Sequence, residues 1–390
     1  MEWVNKPLGE VCRLINGRAY KKHEMLDSGP YPLLRVGNFF SNRSWYYSDL
    51  ELVEDKYCDQ GDLLYAWSAS FGPRIWDGGK VIYHYHIWKI LPDEDVICKE
   101  YLFYFLEWDK ELIKAEQGTG STMIHVTKAS MEQRKLPLCN KSEQQKIVTI
   151  LDKAFADIEQ ARANTEQNLQ NARELFDSYL QQVFSECGEG WKKTTLNELC
   201  TKFEYGTSSK SSQEGEVPVI RMGNIQDGRI VMDKLVYSLN EEDNQKYHLN
   251  FNDVLFNRTN SAELVGKTAI YKSEERAIFA GYLIRIHRNE KLLNADYLNF
   301  YLNSPIARKY GEQVMSQSTN QANISGTKLK TYPISIPVSL EEQQSIVDKI
   351  STLKEKVEEL EATHKSKLTA LDELKQSLLQ QAFTGQLTQG

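Results

Sequence analysis

Several features are scarce or missing in these 390 residues. No apolar run approaches the roughly 20 residues a membrane-spanning helix needs, and Met1-Glu2-Trp3 does not open a secretory leader. The expectation is a cytoplasmic protein without a membrane partner. The six cysteines, at 12, 58, 98, 139, 187 and 200, form no Cys-x-x-Cys pair. That argues against a disulfide or zinc framework and for reduced thiols. Positive charge is not in excess either: the net charge is −7. By segment it is −3 over 1–140, −3 over 141–187, +2 over 188–338 and −3 over 339–390. If the chain touches DNA, a partner must supply much of the attraction to phosphate.

Glycine and proline are missing from two stretches, 143–184 and 342–383. Each reads as one long helix, roughly 63 Å at 1.5 Å per residue. The two are copies. Glu143-Gln144-Gln145 and Glu342-Gln343-Gln344 open them, at an offset of 199 residues, and 15 of the 42 aligned positions are identical. Ser142-x-x-Gln145 and Ser339-x-x-Glu342 have the capping-box pattern. Gly188 and Gly385 are natural stops. A heptad seam runs through Ile147, Leu151, Ile158 and Leu175 in the first copy. In the second it runs through Ile346, Ile350, Leu353, Val357, Leu360, Leu371 and Leu374. Polar residues interrupt both at the centre, Thr165 and Asn168 in one and His364 and Lys367 in the other, a device that fixes register at some cost in stability. The twin seams predict a mutual coiled coil. A domain of about 150 residues has a radius of gyration near 15 Å and cannot easily carry the chain back along such a helix, so the helices should be antiparallel.

The globular parts also match, more loosely. Arg35-Val36-Gly37-Asn38 parallels Arg221-Met222-Gly223-Asn224, and Gly61-Asp62-Leu63-Leu64-Tyr65 parallels Asn252-Asp253-Val254-Leu255-Phe256. Tyr101-Leu102-Phe103-Tyr104-Phe105-Leu106 parallels Tyr297-Leu298-Asn299-Phe300-Tyr301-Leu302. Alternating runs at 81–90 and 277–286 read as strands, and 100–116 and 295–312 as helices. The expected fold is α+β: two α/β domains related by a pseudo-two-fold, 1–140 and 188–338, separated by two long antiparallel helices, 141–187 and 339–390, that form a coiled coil. Scaffold elements repeat while the segments between them diverge, as two specificities on one frame would.

This pattern resembles the specificity subunit of a type I restriction–modification system. The resemblance covers the whole chain and rests on the paired Glu-Gln-Gln openings, the closing Leu378-Leu379-Gln380-Gln381-Ala382-Phe383-Thr384-Gly385, the strands beginning near Asp62 and Asp253, and the loops 118–124 and 316–325. It implies that the globular parts are target-recognition domains reading the two halves of a split, asymmetric double-stranded DNA site. It implies that the helices act as a ruler and bind two modification subunits, which methylate adenine N6. Restriction subunits can join. S-adenosylmethionine, ATP and magnesium would reside on those partners, and this chain would hold no cofactor of its own.

Motifs for chemistry within the chain are weak. The Asn/Asp-Pro-Pro-Tyr/Phe motif of an adenine methyltransferase is missing. Gly266-Lys267-Thr268 lacks the first glycine of a phosphate loop, Ser261 standing in its place. His84-x-His86 has no third ligand nearby in sequence, so no metal site is expected. Base reading needs Arg, Asn, Gln, Ser or Lys on exposed loops. The first domain offers Lys21, Arg35, Asn38, Ser68, Arg74, Thr119 and Ser121. The second offers Lys210, Arg221, Asn224, Arg258, Asn260, Ser318, Asn320 and Gln321. Asp62 and Asp253 are expected to be structural. Two other readings stay open on sequence: a self-contained DNA enzyme, against which the missing motifs weigh, and a coiled-coil scaffold with two ligand domains unrelated to DNA.

Overall fold

The computed structural model describes residues 3–41, 43–68, 70–117, 125–186, 188–318 and 321–388. The chain divides into two compact units, 1–165 with 366–390, and 166–365. The long helices are Lys141–Ser185 and Leu340–Phe383. Each therefore contributes its opening half to one unit and its closing half to the other.

In the first unit an antiparallel sheet runs in the order Cys12–Asn16, Ile87–Pro92, Leu63–Ala66, Gly72–Ile75. A second sheet joins Tyr46–Ser48, Tyr31–Leu34, Val81–Tyr83 and Tyr57–Cys58, with its central pair parallel. The helix Lys99–Gln117 buries Tyr101, Leu102 and Phe105, whose i, i+1, i+4 spacing makes one apolar face. Phe383, near the end of the second long helix, closes this core. Its ring lies 5.2 Å from Tyr101, 5.7 Å from Phe105 and 5.5 Å from Trp108.

The second unit repeats the plan with additions. Its main sheet runs Cys200–Tyr205, Leu283–Arg288, Val254–Asn257, Thr268–Ile270, Arg229–Ile230, Ile225–Gln226. A three-stranded sheet joins Val236–Ser238, Val217–Ile220 and Ile278–Phe279, and another joins Thr259–Asn260, Gln321–Asn323 and Ser316–Ser318. Phe184, from the first long helix, closes this core against Tyr297 at 5.2 Å and Tyr301 at 5.5 Å. The helix expected over 295–312 is instead two, Ala295–Leu302 and Pro305–Val314. Pro305 cannot donate into a continuing helix, and the Ser304 hydroxyl caps the new start by accepting from the Ala307 amide at 3.3 Å.

The openings of the long helices explain the repeated Glu-Gln-Gln. Gln144 is fully buried. Its Nε2 donates to the carbonyls of Cys139 (2.8 Å) and Val96 (3.1 Å), and its Oε1 accepts from the Cys98 amide (2.8 Å). Gln343, also fully buried, donates to Pro337 and Leu292 at 2.9 Å each and accepts from Asn294 at 2.9 Å. Each glutamine stitches its helix to its own domain. Ser339 caps the second helix as expected, accepting from Glu341 and Glu342. In the first helix the cap is Asn140, not Ser142: Asn140 Oδ1 accepts from the Glu143 amide at 3.0 Å, and the helix is already under way at 142.

Within each unit the helices are antiparallel. In the first, Arg162 pairs with Asp372 and Lys375 with Glu159 (3.4 Å), so partner numbers rise as the others fall. In the second, Arg173 pairs with Glu361 at 2.9 Å, while Leu180 and Phe184 share a core with Val347 and Ile350. Of the expected seam, Ile147, Leu151, Ile158, Ile350 and Val357 are buried, and Ile346, Leu353 and Leu371 are half-buried. Three positions need correction. Leu175, Leu360 and Leu374 are 55%, 46% and 46% exposed. Their places are taken one residue later by Phe176, Glu361 and Lys375. The sheltered positions recur at 147, 165 and 183, and at 346, 364 and 382. That is five turns of 3.6 residues each time, the period of a straight helix. The heptad of 3.5 falls behind by about 20° per repeat.

Candidate nucleic-acid interface

Both domains build one backbone frame at the end of their main sheet. In the first, Gly17 donates to the Ile87 carbonyl (3.1 Å), Arg18 to Tyr83 (3.1 Å), His84 to Leu34 (2.9 Å), Tyr85 to Arg18 (3.0 Å), Trp67 to His86 (3.0 Å) and Val126 to Trp67 (3.2 Å). In the second, Gly206 donates to Leu283 (3.4 Å), Thr207 to Phe279 (2.9 Å), Ala280 to Ile220 (2.9 Å), Gly281 to Thr207 (2.7 Å), Arg258 to Tyr282 (3.0 Å) and Ile324 to Arg258 (2.9 Å). The six bonds correspond one to one. The strand crossing is so close that glycine is required. A Cβ on Gly17 would lie 2.3 Å from the His84 carbonyl oxygen, and one on Gly206 2.1 Å from that of Phe279. The sheets behind also match: Lys89 Nζ meets Asp62 at 2.7 Å where Arg285 meets Asp253 at 3.0 Å. Both aspartates also accept a turn amide, of Asp59 and of Asn250, which gives them the structural part expected.

On this shared frame the side chains differ. The first domain carries an aromatic and imidazole cluster: Trp67 lies 4.8 Å from His86 and 5.9 Å from His125, and His84 4.9 Å from His86. Burial first, then His86 and Arg35, lowers the His84 pKa to about 4. Burial, with His125, lowers that of His86. Among the described residues no group of histidines, cysteines and carboxylates could hold a metal ion. In the second domain Arg258 lies over the Tyr205 ring at 4.9 Å, and Tyr205 Oη accepts from the Gly326 amide at 2.8 Å. Asn323 Nδ2 donates to Thr259 Oγ1 at 2.7 Å, and Lys328 Nζ to Ser316 Oγ at 2.8 Å.

The sequence candidates divide sharply on this geometry. Arg258, Asn260, Ser318 and Gln321 come together on and beside the three-stranded sheet, where Asn260 pairs with Ala322 and Ser318 with Gln321. Lys21 and Lys210 are exposed. Arg221 is exposed, donating to the Lys234 carbonyl at 2.9 Å, and Arg35 is half-buried over the Tyr46 ring at 4.3 Å. Asn38 and Asn224 are corrections. They are 7% and 3% exposed, and their amides are spent on backbone carbonyls, of Arg43 and Ser44 in one case and of Val231 and Asp233 in the other. They shape their turns and do not offer a polar edge to a base. Ser68 is 6% exposed within a bridge to His125, and Arg74 is tied to the Phe39 carbonyl and to Asp77 at 2.8 Å. Thr119, Ser121 and Asn320 lie outside the described residues. Gly266-Lys267-Thr268 leads into the strand Thr268–Ile270, where a phosphate loop would open a helix.

Asn323 falls inside the loop 316–325, whereas His86, His125 and Tyr282 lie outside the polar loops that stand out in the sequence. For His86 and Tyr282 the signal is alignment of the two halves: 81–90 lies over 277–286 without a gap, and the middle three positions change character.

The family model for the type I restriction modification DNA specificity domain matches residues 1–167 and again 188–370. The specificity subunit of the Salmonella potsdam type I restriction enzyme StySPI is 25% identical, over 99% of this chain and 89% of that one. That of EcoKI from Escherichia coli strain K12 is 24% identical over the same shares. A solved chain from work on complex assembly and conformational transition of the type I restriction–modification system shares the fold. Its TM-score is 0.76 at 20% identity, over 99% of this chain and 98% of that one. A specificity subunit from Thermoanaerobacter tengcongensis follows with a TM-score of 0.51 at 18% identity, over 99% and 97%. With its domain matched twice over most of its length, the chain belongs to the type I restriction–modification DNA specificity family.

Proposed function

We propose that the chain is the non-catalytic subunit that gives a cytoplasmic type I restriction–modification complex its DNA sequence specificity, each domain reading one half of a split, asymmetric double-stranded site. The observation that carries this is the frame built twice, bond for bond, with different side chains on it. One frame with two side-chain sets is what reading two unlike half-sites requires. Base reading draws on Arg258, Asn260, Ser318 and Gln321, while Lys21, Lys210, Arg35 and Arg221 suit phosphates and the rim.

The paired helices set the spacer between half-sites and receive two modification subunits. Those partners supply S-adenosylmethionine and the transfer to adenine N6, and restriction subunits with ATP and magnesium join where they are encoded. This assignment agrees with the net charge of −7, since phosphate attraction then comes largely from the partners.

The test is methylome sequencing of a methylation-free host expressing the neighbouring modification subunit with and without this chain. A split motif with one methyladenine per half, present only with this chain, supports the reading. Soluble, associated proteins that leave no methylation would favour a scaffold unrelated to DNA.

A further inference from the structure

The duplicated frame allows a comparison that neither domain allows alone. The one-to-one bonds place His86 of the first domain where Tyr282 stands in the second, since each carbonyl accepts from the equivalent residue, Trp67 or Arg258. They place His125 where Asn323 stands, each preceding the residue, Val126 or Ile324, that donates back to that same partner. Behind these positions the scaffold is conserved in chemistry between the halves: Tyr83 against Phe279, Ile87 against Leu283, Lys89 against Arg285. The front pairs are not: imidazole faces phenol in one, and imidazole faces carboxamide in the other. All four side chains reach the surface. Tyr282 is 51% exposed, His125 is exposed, and His86 and Asn323 are half-buried. A position whose backbone is fixed by the fold while its side chain is accessible and unlike its twin is where specificity can vary without cost to the frame.

We infer that positions 86 and 125 in the first domain, and 282 and 323 in the second, are specificity-determining, each pair contacting base edges of the half-site its own domain reads. The inference rests on the DNA-reading function above and deepens it.

The chemistry fits base edges better than phosphates. His86, its pKa lowered by burial and His125, is neutral near pH 7 and offers one donor and one acceptor. His84, Tyr85 and Trp67 are the other titratable or aromatic groups around it, Arg35 acts on His84, and Arg18 is held by Glu24 at 2.6 Å. Asn323 is oriented by its bond to Thr259, and a carboxamide matches the N6/N7 edge of adenine. Tyr282 supplies a hydroxyl on a rigid ring.

The test uses the full chain with its modification subunit. The wild-type methylated motif is read first; if none appears, the DNA-reading function itself fails, which is a separate outcome. His86→Ala, His125→Ala, Tyr282→Phe and Asn323→Ala are then compared by methylome. They are also compared by binding to duplexes carrying the motif with one half or the other substituted. The two histidine variants should lose discrimination in one half only, and Tyr282→Phe and Asn323→Ala in the opposite half only. The loss should be roughly 5- to 150-fold, the size of one good base contact. A variant that abolishes methylation is judged by the binding assay, where the intact half must still be discriminated. Unchanged motifs in all four variants, or equal loss in both halves, would overturn the inference.

Discussion

Replacing Gln144 with leucine isolates what the repeated Glu-Gln-Gln does. The side chains have similar volume, so packing is nearly kept, but three hydrogen bonds disappear at once. The carbonyls of Cys139 and Val96 lose a donor, and the amide of Cys98 loses its acceptor. The glutamine is fully buried, so water does not replace it without opening the site. An unpaired buried polar group costs about 1–3 kcal/mol. Three such groups, less than additive and partly offset by the apolar gain of leucine, give an expected loss of about 3–5 kcal/mol. Six of the seven tryptophans, at 3, 45, 67, 76, 88 and 108, lie in the first unit. Tryptophan fluorescence in urea therefore follows the affected unit, with circular dichroism reporting both. Gln145→Leu, at an exposed position of the same turn, is the control and should change stability by less than about 0.5 kcal/mol. A loss under about 1 kcal/mol for Gln144→Leu, with its urea slope unchanged, would refute the stitching role.

Further outcomes follow from other parts of the fold. Val357→Asp should destabilise the second unit strongly, whereas Leu360→Asp, at a residue 46% exposed, should melt like wild type by circular dichroism. The reverse order would restore the strict heptad. Phe184→Ala removes a ring set between Tyr297 and Tyr301 and should cost about 3–5 kcal/mol by urea titration. Near wild-type stability would remove that ring from the core of the second unit. For Glu204, burial pushes the pKa up, but hydrogen bonds from Lys202, Arg285 and His287 outweigh it and leave it at about 2, against 4.5 for the ordinary group. Its folded pKa is the lower one, so its stabilisation is present above about 4.5 and lost as pH falls toward 2. Glu204→Gln should therefore flatten the acid limb of the stability curve between those values, and an acid limb identical to wild type would contradict the network.

The sequence revealed most where one residue type had one possible use. Two glycine- and proline-free stretches at a constant offset could only be twin helices. The six-residue runs from Tyr101 and Tyr297, dense in aromatic residues and leucine, could only be core. It misled where a residue type serves two ends. Asn38 and Asn224 sit in polar, turn-like stretches that read as base contacts, but an asparagine can equally spend its amide on its own turn, and only burial separates the two. Leu175, Leu360 and Leu374 satisfied a heptad template over a length at which 3.5 and 3.6 residues per turn diverge by a whole position. His86 and Tyr282 do not read as base contacts in the sequence because neither lies in a polar loop. Their equivalence is carried by backbone hydrogen bonds, which side-chain chemistry alone does not encode.

Domain exchange tests the central claim most directly. Residues 188–338 would be replaced by the corresponding segment of a relative with a known split motif, and the methylome read with the same modification subunit. One half of the methylated motif should switch to the donor's while the other half stays as in wild type. A motif altered in both halves, or unaltered in either, would contradict the account of two domains each reading its own half-site.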